Sequence, residues 1–327
     1  MFDIITIGSA TRDIFLLGKN FKTLLCNDGL GKKFEIEKAI FSTGGGSTNA
    51  AVTFSRQGLK TAALFKVGND ESADYILEKI KKEKIFPFVI KDNKKGSDYS
   101  TILLNSSGER TILVYYGASS DLSVSDISFG KLKSKWIYIA PGDISYQTIE
   151  KIFNHFSKNK TLIAFNPSKR FINMGLRKIK PLLDKTEVLI LNSEEGAILT
   201  GINIKKEKEI FKKLDRAEKG IMVMTNGSKG VVVSDGKNIY RAGILGGKII
   251  DRTGAGDAFG SGFVAGLIKR QATSDKNKEI IEYAIRLGSA NATSVVGKIG
   301  AKEGILRKNE FDDKKLNKLK ISCHTKK

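Results

Sequence analysis

The apolar positions of this chain fall into short runs of strand length. Phe2 to Gly8, Thr61 to Val67, Ile85 to Ile90, Trp136 to Ala140, Thr161 to Phe165, Glu187 to Leu191 and Gly220 to Met224 are each nearly continuous in apolar residues. That is the pattern of strands covered on both faces. Between them lie segments with helical spacing, among them Val52 to Leu59, Asp70 through Leu77 to Ile80, Ser145 to Ser157 and Lys278 to Val296. Repeated strand–loop–helix units predict an α/β fold, a parallel sheet with helices on both faces. Two regions break the rhythm. Residues 15–41 hold short apolar pieces interrupted by Gly and Lys, and 97–117 alternate around Asn105-Ser106-Ser107-Gly108-Glu109-Arg110, a hairpin signal. No repeat of solenoid length is visible.

Polar residues cluster just after the strands, where open α/β sheets bind ligands. Asp13 follows the first strand and reads equally well as a substrate ligand or as an ordinary loop carboxylate. Gly44-Gly45-Gly46-Ser47-Thr48-Asn49 forms a glycine loop that enters a helix. Asn192 and Glu195 stand one helical turn apart. They either cap a helix or hold hydrated Mg²⁺ near phosphates, and on chemistry alone the cap leads. Thr225 to Gly230 is a turn that by itself points nowhere. The stretch Asp251-Arg252-Thr253-Gly254-Ala255-Gly256-Asp257-Ala258-Phe259 runs through two glycines into a helix. First-turn amides lack intrahelical partners and carry the positive end of the helix dipole, so an anion can dock there. Asp257 then either caps that helix or takes a proton from a nucleophile held beside the anion.

The 327 residues suit one large domain, or a domain and a subdomain, and 40% apolar content supplies a core. No apolar run reaches membrane-spanning length, and Met1 to Gly8 reads as a first strand, not a signal peptide. Cys26 and Cys323 lie far apart without metal spacing, which suits a reducing, cytoplasmic setting. The formal charge is +21, from 56 basic and 35 acidic residues. The excess is mostly Lys in stretches such as Lys79 to Lys84 and Lys205 to Lys213, with few aromatics interleaved. This favours a solvated surface over a nucleic-acid site, so neither nucleic acid nor membrane is expected as partner. The Lys-rich end from Lys314 is expected to fray. Two histidines, His155 and His324, supply neither a triad nor a zinc cluster, and no P-loop motif occurs.

The string Asp251 to Phe259 resembles the C-terminal signature of the ribokinase-like (PfkB) family of carbohydrate and nucleoside kinases. Gly44-Gly45 with Asn49 resembles its N-terminal signature, and the resemblance spans residues 2–306. It implies a three-layer α-β-α domain with a central, mostly parallel sheet and a small β-sheet lid. The large domain would comprise 1–14, 42–96 and 118–310, the lid 15–41 and 97–117, and a basic tail 311–327. It implies ATP and Mg²⁺, with the amides of Gly254, Ala255 and Gly256 as anion hole and Asp257 as base. Asp13, Gly44, Gly45, Gly46 and Asn49 would contact the acceptor. Asn192, Thr225, Gly227, Ser228, Gly230, Thr253, Gly254, Gly256 and Asn291 would lie on the nucleotide side, and the bland alternative for Asn291 is a helix-surface amide. Glu195 would order Mg²⁺-bound water. Asp251, Thr253 and Gly300 fall where some relatives bind a monovalent cation such as K⁺. The lid sheet could pair across a homodimer. One departure is Gly46, where ribokinase itself carries Lys, which argues against ribose. The implied function is ATP-dependent phosphorylation of a sugar hydroxyl. A nucleoside kinase of the same fold is the alternative. A non-catalytic sugar, nucleotide or nucleic-acid binder is a third, disfavoured by the complete Gly-Ala-Gly-Asp set.

Overall fold

The computed structural model describes residues 1–18, 21, 33–105, 110–271, 277–310 and 318–326. Cys26, the hairpin tip 106–109 and the tail segment 311–317 lie outside the described residues. A ten-stranded sheet forms the body, in the order β14-β13-β12-β11-β10-β9-β8-β1-β4-β5. Its parallel part is β1 (Phe2–Gly8), β4 (Thr61–Gly68), β5 (Phe86–Asp92), β8 (Ser134–Ala140), β9 (Leu162–Phe165), β10 (Val188–Asn192) and β11 (Ile221–Thr225). Successive residues of these strands enter opposite cores. Ile5, Ile7, Ile137, Ile139, Leu189 and Leu191 face one layer, which includes the helices 146–158, 176–183 and 207–217. Ile4, Trp136, Tyr138, Val188 and Ile190 face the other, with the helices 46–56, 255–271 and 277–296. Burial on both faces is why the strands lack polar alternation in sequence.

Antiparallel strands extend one edge: β12 (Val231–Ser234), β13 (Asn238–Ala242) and β14 (Ile321–Thr325). The tail from Lys314 was expected to fray, yet residues 318–326 dock. Ile321 and Cys323 pack on the second core, Leu319 is buried, and Lys326 ion-pairs with Asp215 at 2.6 Å. The alternation of β14 is too short and too lysine-flanked to announce itself as a strand.

A second sheet of four strands has the order β3-β2-β6-β7. It uses β2 (Thr11–Leu17), β3 (Lys38–Gly44), β6 (Asp98–Leu104) and β7 (Arg110–Tyr115). The expected division after residues 14 and 41 therefore cuts through β2 and β3. Asp13 and Gly44 belong to the small sheet, not to a loop of the large one. The strands were missed at these ends because their hinge-side residues, Thr11, Asp13, Ser42 and Thr43, are polar.

Just past the helix 207–217, ahead of β11, Glu218 is buried. Its Oε1 accepts from the amides of Lys219 and Gly220 at 3.1 and 3.0 Å, while Oε2 has no partner. Burial pushes its carboxyl up to about 8, against those two amide bonds. The folded state thus keeps a proton that the unfolded chain releases near the ordinary value of 4.5. Stability is full below that ordinary value and is lost as pH rises towards about 8. Glu218→Gln is expected to raise Tm at high pH and to change it little in acid. Equal shifts in thermal melts at about pH 4 and pH 9 would refute this.

Candidate active site

Helix α1 (Gly46–Arg56) begins where β3 ends, and helix α8 (Ala255–Gln271) begins after the glycine loop 251–254; further helices, in chain order, are α2 (Glu71–Lys82), α3 (Tyr146–Lys158), α4 (Lys169–Ile172), α5 (Leu176–Leu183), α6 (Ser193–Thr200), α7 (Glu207–Ala217) and α9 (Asn277–Val296). The first turns of α1 and α8 meet. Asn49 Nδ2 donates to Asp257 Oδ2 at 2.9 Å, although the two residues are 208 apart in sequence. An N–H must face a carboxylate, so Asn49 Oδ1 points elsewhere, and it is buried without a partner. A Cβ on Gly46 would stand 3.8 Å from Asp257 Oδ1, and one on Gly44 would stand 2.2 Å from Asp13 Oδ2. Gly44 is required there because the Asp13 carboxylate packs directly on its backbone. Asp13 thus packs on Gly44, and Gly46 and Asn49 lie against Asp257, on either side of the turn that joins β3 to α1. Gly45, at φ 92°, serves the turn instead: its Cβ would strike Ser9 O at 2.4 Å.

At the start of α8, Ala255 N donates to Arg252 O at 3.4 Å and Ala258 N to Gly254 O at 2.8 Å. The amides of Gly256 and Asp257 have no partner among the described residues. Two unpartnered N–H groups at a helix start, with the positive dipole end behind them, are the kind of donor set on which an anion can dock. Beside this helix start opens a cleft of about 550 Å³. Of the residues expected on the nucleotide side, Asn192, Thr225, Gly227, Ser228, Gly230 and Gly256 line it, together with Ala255, whereas Thr253 and Gly254 do not. Arg252 also lines it, as do, from α9, Ser289, Ala292 and Thr293, which carry no motif.

Asn291 does not lie there. It is 1% exposed, its Nδ2 donates to Ala258 O (2.8 Å) and Thr53 Oγ1 (3.2 Å), and its Oδ1 accepts from Leu306 N (3.0 Å). Every polar hydrogen and the acceptor are spent inside the protein. Asn291 fixes the first turn of α8 from below, and it is neither a nucleotide contact nor a surface amide.

Asn192 and Glu195 form a reciprocal cap on α6. Glu195 N donates to Asn192 Oδ1, and Asn192 N to Glu195 Oε2, both at 2.8 Å. Burial, chiefly, and then the charges of Asp257 and Glu194 push Glu195 up. Asp251 is buried and accepts from Thr253 N (2.9 Å), Thr253 Oγ1 (2.7 Å) and Gly300 N (3.0 Å). It ties the glycine loop to the 297–304 loop, and Arg110 from the tip of β7 reaches it at 3.7 Å.

Burial pushes both Asp257 and Asp13 above the ordinary carboxylate range. The Asn49 bond and the charge of Lys302 oppose this at Asp257; the Thr11 hydroxyl, Lys302, Ser100 and Arg12 oppose it at Asp13. Lys302 was not anticipated. It is 7% exposed, and in a chain with 56 basic residues one buried lysine carries no mark in sequence.

A large, mostly parallel sheet flanked by helices, with a smaller separate sheet, defines the ribokinase-like α/β fold. Residues 1–308 match the pfkB family of carbohydrate kinases, and the chain belongs to that family. It is an ATP-dependent kinase acting on an alcohol group. The chain is 26% identical over 280 residues to an ATP-dependent 6-phosphofructokinase of Thermoanaerobacterium thermosaccharolyticum, covering 82% of this chain and 85% of that one. It is 24% identical over 303 residues to a cytidine kinase of Thermococcus kodakarensis, covering 92% and 98%. The fold matches that of ribokinase from Giardia lamblia with a TM-score of 0.80 at 21% identity, over 95% of this chain and 98% of that one.

Proposed function

We propose that the protein transfers the γ-phosphoryl of ATP to a hydroxyl of a neutral sugar held under the small sheet, with Asp257 as base. The observation that carries this is the pairing of Asp257 with Asn49 directly beside the open amides of Gly256 and Asp257. The acceptor hydroxyl would lie between Asp257 and the phosphoryl, and another hydroxyl would donate to the orphaned Asn49 Oδ1. As the acceptor O–P bond forms and the bond from Pγ to the bridging oxygen breaks, ADP departs and the hydroxyl proton passes to Asp257. A carboxylate is a weak base towards a free alcohol, so the proton moves late, when the forming bond has made it acidic. The amides at the start of α8 stabilise charge on the phosphoryl oxygens. The small sheet excludes water, which suppresses hydrolysis of ATP.

No cluster of three or more metal-ligating side chains occurs among the described residues. Mg²⁺ keeps most of its waters and rides on phosphates, and the single carboxylate of Glu195 with Asn192 suits that outer role. Bound with ATP, it would neutralise phosphate charge. A monovalent cation at Asp251, Thr253 and Gly300 would compete with three protein donors for one carboxylate, so we assign these residues a structural role. No helix among the described residues is long and apolar enough to cross a membrane. An enzyme that consumes ATP would work in the cytoplasm, where ATP is supplied.

The test is an acceptor panel of ribose, fructose, 2-keto-3-deoxygluconate, inositol, adenosine and cytidine, with ATP. Turnover of a sugar supports the reading, turnover of nucleosides alone selects the nucleoside alternative, and none removes both. With the active acceptor, Asp13→Ala and Asn49→Ala are expected to raise acceptor KM about 10- to 100-fold, the loss of one hydrogen bond to a charged or buried partner, with KM for ATP little changed. Equal effects on both constants would misplace the pocket.

The lid sheet also offers a partner surface. β7 is an edge strand whose neighbouring residues Ile112, Leu113, Val114 and Tyr115 are all exposed, so both of its faces are uncovered. Edge strands of this kind are templates for pairing. A homodimer through this sheet is expected in sedimentation, and Leu113→Lys is expected to give monomers. A monomeric wild type at micromolar concentration would end this reading.

A further inference from the structure

Lys302 is buried against the turn that joins β3 to α1. Its Nζ donates to Thr43 Oγ1 (2.8 Å), Thr48 Oγ1 (2.8 Å) and Gly44 O (3.4 Å), which spends all three ammonium hydrogens. It therefore has no proton left with which to touch a substrate. Its backbone carbonyl accepts from Arg56 Nη1 at 3.0 Å, which fixes the loop that carries it. Burying an ammonium is costly unless charge of the opposite sign lies near. The carboxylates whose charge acts on it are Asp13 from β2, Asp257 from α8, Glu303 beside it in sequence, and Glu83 at the end of α2, which is already paired with Arg56 at 2.6 Å. A side cavity of about 180 Å³ on the outer face adds Lys79 and Lys82 at its rim.

We infer that Lys302 is a positioning residue for the transfer: strapped to Thr43, Gly44 and Thr48, it anchors the turn that carries Asn49 and supplies the positive charge that keeps Asp13 and Asp257 as carboxylates in a dry site. The inference rests on Asp257 acting as base. Burial alone drives both carboxyls towards their protonated, useless form, and Lys302 is the cation common to both of them. Burial also pulls the lysine itself down to about 7, the reciprocal effect of the same dry surroundings. A lysine that merely filled space would hold the turn without setting the charge state of Asp257.

The experiment is a ¹³C-carboxyl NMR titration of the full chain, with the Asp257 signal identified by its loss in Asp257→Asn. Lys302→Met is expected to move the Asp257 midpoint up by about one to three pH units, the range for a nearby opposite charge. Lys302→Arg is expected to return it to near the wild-type value. In turnover, the acid limb of kcat is expected to move with that midpoint, and kcat at pH 7 to fall about tenfold or more in Lys302→Met. A midpoint unchanged in Lys302→Met overturns the inference. If that variant does not fold, Thr43→Val loosens the ammonium without removing it. A smaller upward shift then supports the inference, and no shift overturns it. Because the titration needs no acceptor, failure of turnover would end the sugar-kinase reading while the midpoint still decides the role of Lys302.

Discussion

Asp257→Asn is expected to fold, to bind ATP as the wild type does, and to lose about 10²–10⁴-fold in kcat, the range for a positioned base. The amide keeps the shape of the carboxylate and can still meet Asn49, so neither the first turn of α8 nor the cleft beside it should move. What is lost is the charge that receives the proton. Stability should go the other way. Burial pushes the Asp257 carboxyl up, so the folded state disfavours the ion that the unfolded chain carries freely. Stability linked to this group is full below the ordinary carboxylate value and is lost as pH rises through the raised one. The uncharged variant escapes that loss, and its Tm at pH 7 should equal or exceed the wild type's. Calorimetric ATP binding, a thermal melt and kcat on one preparation check all three. A kcat within about threefold of wild type would remove Asp257 from the base role.

Gly254→Ala is expected to cost about 10²–10³-fold in kcat, as for loss of a preorganised donor to a developing anion, together with about 1–3 kcal/mol of stability. Gly254 sits at φ 77°, a region L side chains avoid, and its Cβ would stand 2.5 Å from Ala301 Cβ and 2.8 Å from Ala301 Cα. Ala301 is buried and precedes Lys302, so the loop cannot retreat without carrying the ammonium with it. The helix start has to shift instead, and the amides of Gly256 and Asp257 shift with it. Gly256 is the contrast. No atom lies within 4 Å of its absent Cβ, so Gly256→Ala should keep the wild-type Tm and affect turnover alone. Equal melts for both alanine variants would show that the close packing at Gly254 is not what the fold depends on.

The parts of the site that lie close together in sequence could be read early. Gly254 to Asp257 and Gly44 to Asn49 are continuous strings that each open a helix, and the polar ends of β10 and β11 follow apolar runs. The parts that failed are those whose meaning depends on partners. Asn291 has the same composition whether it faces solvent, nucleotide or the underside of α8, and only its bonds to Ala258, Thr53 and Leu306 decide. Lys302 resembles every other lysine of a strongly basic chain until Thr43, Thr48 and two carboxylates are found around it. Ser289, Ala292 and Thr293 reach the cleft because α9 packs beside α8, and small residues at helical spacing do not announce that.

The sequence by itself determined the α/β rhythm, the doubly buried strands and the two glycine-led helix starts, because periodicity and local backbone chemistry act over a few residues. Only the tertiary structure decided that Asp13 belongs to the small sheet, that the C-terminal residues 318–326 add a strand, that Asn49 meets Asp257, and that a buried Lys302 braces the turn ahead of Asn49. Those facts concern burial and charge between groups as much as 289 residues apart (Asp13 to Lys302). Burial and the electrostatic strength that comes with it exist only once the chain has folded.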